Sequence, residues 1–349
     1  MPRALIIGGT GPIGRATARR LLASGWQVTL TGRDRSKMPA DVARAGGVFA
    51  RADRSDPGEL RAALGSGADL LVDCLCYGAG DAVTLLPLAR DAASTVLISA
   101  KAVYADALGN HANSPVKPDF GGPVTEDNPT VPPGDAGYGE RKVAAERVLL
   151  DSGLPVTVIR PGLVHGEGTS MPREWVFVRR ALDRRRVVLL AGRGAGVNQP
   201  VAAANLAALI ETVAGRPGAR ILNGADPDAP SALEISRIVA GYLGHSWDEV
   251  LLGGGEDGQD AGVPGRPGAH PWQAAHPVVL DMAAAAALGY VPAGTYAQTV
   301  GGEIDWLVAA AGGRAGGELP PGCDADYFAP LLDYPAEDGY LAALAGQRG

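Results

Sequence analysis

Ala4-Leu-Ile-Ile-Gly8-Gly-Thr-Gly11-Pro-Ile-Gly14 opens the chain as an apolar run of strand length closed by a glycine-rich turn. Arg15-Ala-Thr-Ala-Arg-Arg-Leu-Leu-Ala-Ser24 follows and reads as a helix. Strand, turn and helix in this order make a dinucleotide-binding unit. The glycines let the backbone turn sharply and approach a pyrophosphate, whose charge then sits at the helix N-terminus. Both G-x-G-x-x-G from Gly9 and G-x-x-G-x-x-G from Gly8 are satisfied, so Gly8, Thr10, Gly11, Pro12, Ile13 and Gly14 are the expected cradle. A glycine turn can also be purely structural, and the segments downstream decide between the two readings.

Those segments alternate. Val28-Thr-Leu-Thr31, Gly47 to Asp53, Asp69 to Leu75, Thr95 to Ser99 and Val156 to Arg160 read as further strands. Leu60 to Leu64 and Ala82 to Ala93 read as helices between them, and residues 105–137 as a long Gly/Pro/Asn/Asp-rich loop. Repeated βα units predict a parallel sheet covered on both faces, with ligands at the C-terminal ends of the strands. Beyond Gly166 the pattern loosens. Helices are expected at Trp175–Arg186, Ala202–Ala214, Ser231–Leu243, Leu280–Leu288 and Tyr296–Ala310, with a strand at Ala219–Asn223 and an acidic, glycine-rich loop from Gly253 to Pro267. Ser231 and Glu234 have the spacing of a capping box.

Composition bounds the function. With 349 residues, 46% of them hydrophobic and 20% charged, the chain can build a large core and two lobes. A net charge of −7 argues against nucleic acid and against an anionic membrane surface as partners. Cys74, Cys76 and Cys323 make no disulfide framework, and Cys74-Leu-Cys76 has the wrong spacing for a zinc knuckle, so free thiols and no metal are expected. No apolar run approaches the roughly 18 residues of a membrane span, and the first strand begins almost at Met1, which points to a cytoplasmic protein.

Tyr138-Gly-Glu-Arg-Lys142 opens a helix that stops at Gly153 and Pro155. Tyr138 and Lys142 lie one turn apart on one face. A phenol has a free pKa of about 10 and needs help to exchange protons near neutrality. A neighbouring ammonium favours the phenolate, so the pair reads as an acid/base and its electrostatic tuner.

With these landmarks the chain resembles the extended short-chain dehydrogenases/reductases of the NAD-dependent epimerase/dehydratase type. The resemblance rests on Gly8 to Gly14, Asp53 to Asp56, Val103-Tyr104, Tyr138 to Lys142 and Arg160-Pro-Gly-Leu-Val-His-Gly166, and more weakly on Leu280 to Pro292 and Glu303 to Leu307. It implies an α/β fold: a Rossmann-type doubly wound parallel sheet with a smaller, mixed α/β C-terminal substrate lobe. Residues 1–166, joined by 199–224, would form the dinucleotide-binding domain. Residues 167–198 and 225–311 would form the lobe, and 312–349 a Gly/Pro-rich acidic tail with a docked patch near Tyr327. Tyr138 would exchange the proton with the substrate oxygen, while Lys142 would hold the nicotinamide ribose and tune Tyr138. Asp53 would contact the adenine edge, Leu75 and Cys76 would line the cofactor groove, and Pro161, Leu163 and Val164 would lie by the nicotinamide. The family also implies a homodimer and a small-molecule substrate.

One position departs from the family. Ser99-Ala100-Lys101-Ala102-Val103-Tyr104 puts alanine where the second small hydroxyl residue usually helps bind the reacting oxygen. Ser99 cannot simply stand in, because neighbouring residues on a strand face opposite ways. Losing one such donor typically costs about 10²–10³ in rate. Three explanations stay open: another donor serves, the chemistry is slow or different, or the alanine is a deliberate replacement. At the end of the second strand, Thr31-Gly32-Arg33-Asp34 leaves the usual acidic site empty. Arg33 suits the 2′-phosphate of NADP, with NAD kept open by Asp34, whose competing role is a helix cap. The expected activity is NADP-preferring hydride transfer to or from a carbonyl/alcohol centre. The alternatives are an epimerase or dehydratase that recycles bound cofactor, and a dinucleotide-binding sensor impaired by Ala100.

The substrate side is less legible. Arg173, Arg179, Arg180 and Arg184 to Arg186 form a basic stretch that either attracts an acidic substrate or is a solvated face. His270, His276 and His165 are cleft candidates, His165 the best placed. Asn198 to Asn205 lacks the His and Asp residues common in nucleotide-sugar relatives, which argues against a nucleotide-sugar epimerase.

Overall fold

Alternation along each central strand explains the layers. Ala4 and Ile6 of the first strand face one apolar cluster while Leu5 and Ile7 face another. Leu70 and Val72, Val96 and Ile98, and Ile159 join the first cluster, and Leu71, Leu97, Val156 and Val158 the second. Strands apolar on both faces need helices on both sides, and this is what the chain builds.

The structure is a computed structural model and describes residues 1–253, 267–316, 318–320 and 323–346. Its strands are β1 (Arg3–Ile7), β2 (Gln27–Gly32), β3 (Val48–Arg51), β4 (Ala68–Asp73), β5 (Ala92–Ile98), β6 (Val156–Pro161), β7 (Leu163–His165), β8 (Val187–Leu190), β9 (Pro200–Ala202), β10 (Arg220–Gly224) and β11 (Asp248–Leu251). Its α-helices are α1 (Pro12–Ala23), α2 (Ala40–Arg44), α3 (Pro57–Leu64), α4 (Ala79–Ala89), α5 (Tyr138–Leu150), α6 (Trp175–Leu182), α7 (Ala203–Ala214), α8 (Ala232–Tyr242), α9 (Ala283–Ala287), α10 (Tyr296–Thr299), α11 (Gly301–Ala310), α12 (Ala325–Phe328) and α13 (Tyr334–Gly346). Seven strands form a parallel sheet in the order β10-β6-β5-β4-β1-β2-β3. Helices α1 and α7 supply apolar residues on one face, and α3, α4 and α5 on the other. Strand order reverses at β1 and β4, so a crevice opens past their carboxyl ends, Ile7 and Asp73, which are in register.

The chain divides into two units. The first holds residues 1–166, 200–227 and 280–295, and the second 167–199, 228–279 and 296–349. Residues 280–295, expected in the substrate lobe, belong instead to the first unit. Leu280 bridges Val124, and Met282, Ala284, Leu288 and Tyr290 pack on the first cluster. The Asn205 side-chain oxygen also accepts the Ala293 amide at 2.6 Å.

In the second unit β8 and β11 pair in parallel, and the capping box of Ser231 and Glu234 forms at the start of α8. The expected tail holds α12 and α13. Phe328 is fully buried, and Arg180 of α6 binds Glu337 and the Leu331 carbonyl, the latter at 2.9 Å. Arg185 pairs with Asp338, Arg179 with Asp183, and the Tyr334 hydroxyl donates to Asp183 at 2.9 Å. Much of the basic stretch is therefore matched by acids within its own unit. It serves docking of the C-terminal helix rather than an open basic face.

Element limits also shift. The helix expected at Ala82–Ala93 ends at Ala89, because Ala92 and Ser94 pair with Ala68 and Leu70 on β4. Strand pairing here overrides the helix preference of alanine. The helix expected through Arg186 ends at Leu182, and Val187–Leu190 forms β8 beside β11. Tyr296–Ala310 is broken at Val300 into α10 and α11. The expected loop from Gly253 to Pro267 lies, for residues 254–266, outside the described residues. No helix among the described residues is long and apolar enough to cross a membrane.

Candidate active site

The glycine turn joins β1 to α1 at the reversal point. Gly8 has φ +76° and packs under Leu75, whose Cγ would stand 2.6 Å from any Cβ placed there. A Cβ at Gly14 would meet the Gly9 Cα at 2.5 Å, so only glycine lets α1 start this close to the turn. The first amide bonded within the helix is that of Arg15, to the Gly11 carbonyl at 2.9 Å. The amides of Ile13 and Gly14 precede it and, with Pro12 at the first helical position, form the open positive end of α1. Gly11 faces open space, with only the Gly8 carbonyl within 4 Å of a built Cβ. This concave, amide-lined turn fits a pyrophosphate.

Helix α5 begins at Tyr138, which is 38% exposed and whose hydroxyl has no hydrogen-bond partner among the described residues. Lys142, one turn on, is buried. Its Nζ donates to the carbonyls of Cys76 at 2.7 Å and Ile98 at 2.9 Å, at the carboxyl ends of β4 and β5. It lies 4.8 Å from the Tyr77 ring centroid and 5.7 Å from that of Tyr138. Burial holds the ammonium below the usual lysine range. The expected lowering of the Tyr138 phenol does not occur here. Burial, aided by Tyr77, pushes it up to about 12, while the nearby cation Nζ is committed to backbone oxygens.

Cys76 is fully buried in the apolar layer, so its side chain does not line the groove. Its backbone carbonyl does the holding. Leu75 packs on the glycine turn. Pro161 ends β6, and Leu163 and Val164 continue from it in β7, at the same edge of the sheet. Burial pushes the thiols of Cys74 and Cys76 up to about 12, which leaves them inert.

Residues 8–174 match a family model described as NAD(P)H-binding. No curated protein matches the sequence. Among solved structures, the dTDP-glucose 4,6-dehydratase of Bacillus anthracis in complex with NAD superposes with a TM-score of 0.65 at 16% identity, over 90% of this chain and 99% of that one. The Thermus thermophilus UDP-glucose 4-epimerase complexed with NAD gives 0.64 at 18% identity, over 87% and 98%. The UDP-glucuronic acid 4-epimerase of Bacillus cereus, in complex with UDP-glucuronic acid and NAD, gives 0.62 at 16%, over 87% and 98%. The chain has the extended short-chain dehydrogenase/reductase fold.

Against the pattern that the resemblance implies, the end of β5 is unusual. Ser99 turns its hydroxyl to Glu146 on α5, which also binds Arg160 at 2.6 and 3.1 Å. Ala100, 9% exposed, presents no donor in its place. The strand alternation that kept Ser99 from substituting is thus realised. Glu146 lies one turn beyond Lys142, so Tyr138, Lys142 and Glu146 share a helix face.

At the end of β2, Gly32 is walled by Phe49 and Thr10, which a Cβ would meet at 3.3 and 3.4 Å. Arg33 is exposed with no salt-bridge partner among the described residues, and the Arg35 guanidinium lies 5.9 Å from the Phe49 ring centroid. Asp34 caps the short turn that follows, accepting from the Ser36 amide at 2.9 Å. Asp53 has one carboxylate oxygen committed to the Ser55 amide and hydroxyl at 2.9 and 2.7 Å, which holds its carboxyl below the usual range.

The histidines do not gather at this site. His165 is buried and bonded to Asp226 at 2.9 Å, which also accepts the Ala202 amide at 2.6 Å and Asn205 at 2.7 Å. His276 is exposed. His270 in the second unit is buried, with Nε2 3.2 Å from the Ala191 carbonyl, and burial pushes its imidazole down to about 4. A histidine neutral when folded but protonated when unfolded loses stability as pH falls from its unfolded value of 6.5 towards 4. The expected loss is about 3 kcal/mol, fully spared above pH 6.5. Urea denaturation between pH 7 and 4 checks this. His270→Asn should remove that share of the acid sensitivity.

Sequence reasoning missed Tyr77, Arg54 and Asp73. Arg54 binds Asp73 at 2.6 Å and the Asp81 carbonyl at 2.7 Å, and the Asp81 carboxylate accepts the Tyr77 amide at 2.8 Å. The available signal was position. Tyr77 follows Leu75 and Cys76 at the end of the fourth strand, where the ligand crevice was already expected.

Proposed function

We propose that this chain is an NADP-preferring oxidoreductase that interconverts a carbonyl and an alcohol of a small molecule. The observation that carries the reading is the unpaired, partly open hydroxyl of Tyr138, held beside Lys142 at the carboxyl edge of the sheet that bears the glycine turn. The bound nicotinamide would supply the hydride exchanged with the substrate carbon. Gly8 to Gly14 would seat the pyrophosphate against α1. Tyr138, protonated at neutral pH, would donate its proton to the carbonyl oxygen as that oxygen gains electron density. Lys142 has three N–H donors, two of them taken by backbone carbonyls, and the third suits a ribose hydroxyl. Its charge would stabilise the phenolate left behind. Asp53, Leu75, Pro161, Leu163 and Val164 would border the cofactor.

The cofactor preference rests on Arg33, an exposed guanidinium that makes no salt bridge among the described residues although its charge reaches Asp53, while Asp34 is turned to Ser36. Arg33→Ala is expected to weaken NADPH binding by about 10–100-fold, the worth of one charge-assisted bond, and to leave NADH unchanged. NADPH and NADH fluorescence titrations measure both. An epimerase or dehydratase reading has its own support in the fold neighbours named above, a dehydratase and two epimerases. Net cofactor consumption separates the two: stoichiometric NADPH loss supports the reductase, and product formation without it the epimerase or dehydratase.

A further inference from the structure

We propose that the Tyr77 hydroxyl binds the reacting oxygen in place of the donor that Ala100 lacks. The assignment rests on the hydride-transfer reading of the site. Tyr77 stands four residues past the end of β4, and Ala100 two past the end of the adjacent β5, where Asp73 pairs with Leu97. Ala100 carries no polar side-chain atom, and Ser99 is committed to Glu146 on α5. Tyr77 is 49% exposed, and its hydroxyl, like that of Tyr138, has no partner among the described residues. Both rings flank one ammonium, with Lys142 Nζ at 4.8 Å from Tyr77 and 5.7 Å from Tyr138. Two unpaired phenols therefore lie beside one ammonium at the carboxyl edge of the sheet, where the assignment has each give a hydrogen bond to the carbonyl oxygen.

The loop that carries Tyr77 is built to hold still. The Tyr77 amide is fixed by the Asp81 carboxylate at 2.8 Å, and Arg54 ties the Asp81 carbonyl to the buried Asp73. The Leu75 amide also donates to Asp73, at 2.8 Å. A donor held in place before reaction stabilises a developing oxyanion without reorganisation at the moment it forms. The two phenols repel each other's ionisation, so only one surrenders its proton. Tyr138 gives its proton to the oxygen. Tyr77 keeps its own and contributes a hydrogen bond, so a single proton moves.

The test uses NADPH and 4-nitrobenzaldehyde as an activated carbonyl probe, in the full chain and in Tyr77→Phe, Ala100→Ser, the double variant and Tyr138→Phe. NADPH fluorescence on binding reports that each variant is folded. Tyr77→Phe is expected to lower kcat by about 10²–10³ with the KM for NADPH unchanged. Ala100→Ser in the same chain is expected to restore most of it, a rescue that a merely structural role of Tyr77 would not show. A kcat within about twofold of the parent in Tyr77→Phe, or a loss that Ala100→Ser leaves in place, overturns the assignment. A parent that does not turn over the probe, or whose rate survives Tyr138→Phe, removes the hydride-transfer reading itself and the assignment with it.

Discussion

Tyr138→Phe is expected to lower the rate of carbonyl reduction by about 10²–10⁴ while NADPH binding stays within a few-fold of the parent. The substitution removes one oxygen and leaves the ring at the start of α5, 5.7 Å from Lys142 Nζ. Cofactor seating depends on the glycine turn and the end of β2, neither of which the change touches. Stopped-flow NADPH oxidation and fluorescence titration separate the two effects. Burial pushes the phenol up to about 12, so Tyr138 carries its proton throughout the neutral range. Reduction, which uses that proton, is therefore expected to be flat between about pH 6 and 9, and oxidation to climb about tenfold per pH unit over the same range. Equal pH dependence in both directions would contradict Tyr138 as the group that carries the proton.

Glu146→Ala is expected to cost about 3–5 kcal/mol of stability. Its carboxylate is the acceptor for two nitrogens of Arg160 and for the Ser99 hydroxyl, and both charged side chains are no more than 4% exposed. Removing it leaves a guanidinium inside the protein with no compensating charge. At this chain length the thermal midpoint should fall by roughly 4–7 °C. The exposed Arg19–Asp41 pair supplies the contrast, with side chains 37% and 46% open. Asp41→Ala should cost less than about 1 kcal/mol, because water screens such a pair and solvates the charge left over. Differential scanning fluorimetry of the three proteins without cofactor measures the comparison.

The sequence by itself determined the sheet, the glycine turn and the Tyr138–Lys142 pair. Those signals are local. A strand apolar on both faces, a turn that no residue larger than glycine allows, and two side chains one helical turn apart each need only neighbouring residues to be read. It also determined that Ser99 faces away from Ala100's side, since alternation along a strand is a property of the backbone. Tertiary structure alone decided what each charged group meets. The Lys142 ammonium goes to the carbonyls of Cys76 and Ile98, 66 and 44 residues away, and the basic stretch of α6 meets acids about 150 residues later. It also assigned residues 280–295 to the first unit and set Tyr77 over Lys142. Such partners depend on which strand ends and helix faces the fold brings together. Charge type and spacing along the chain show that a cation needs a partner, but not which one.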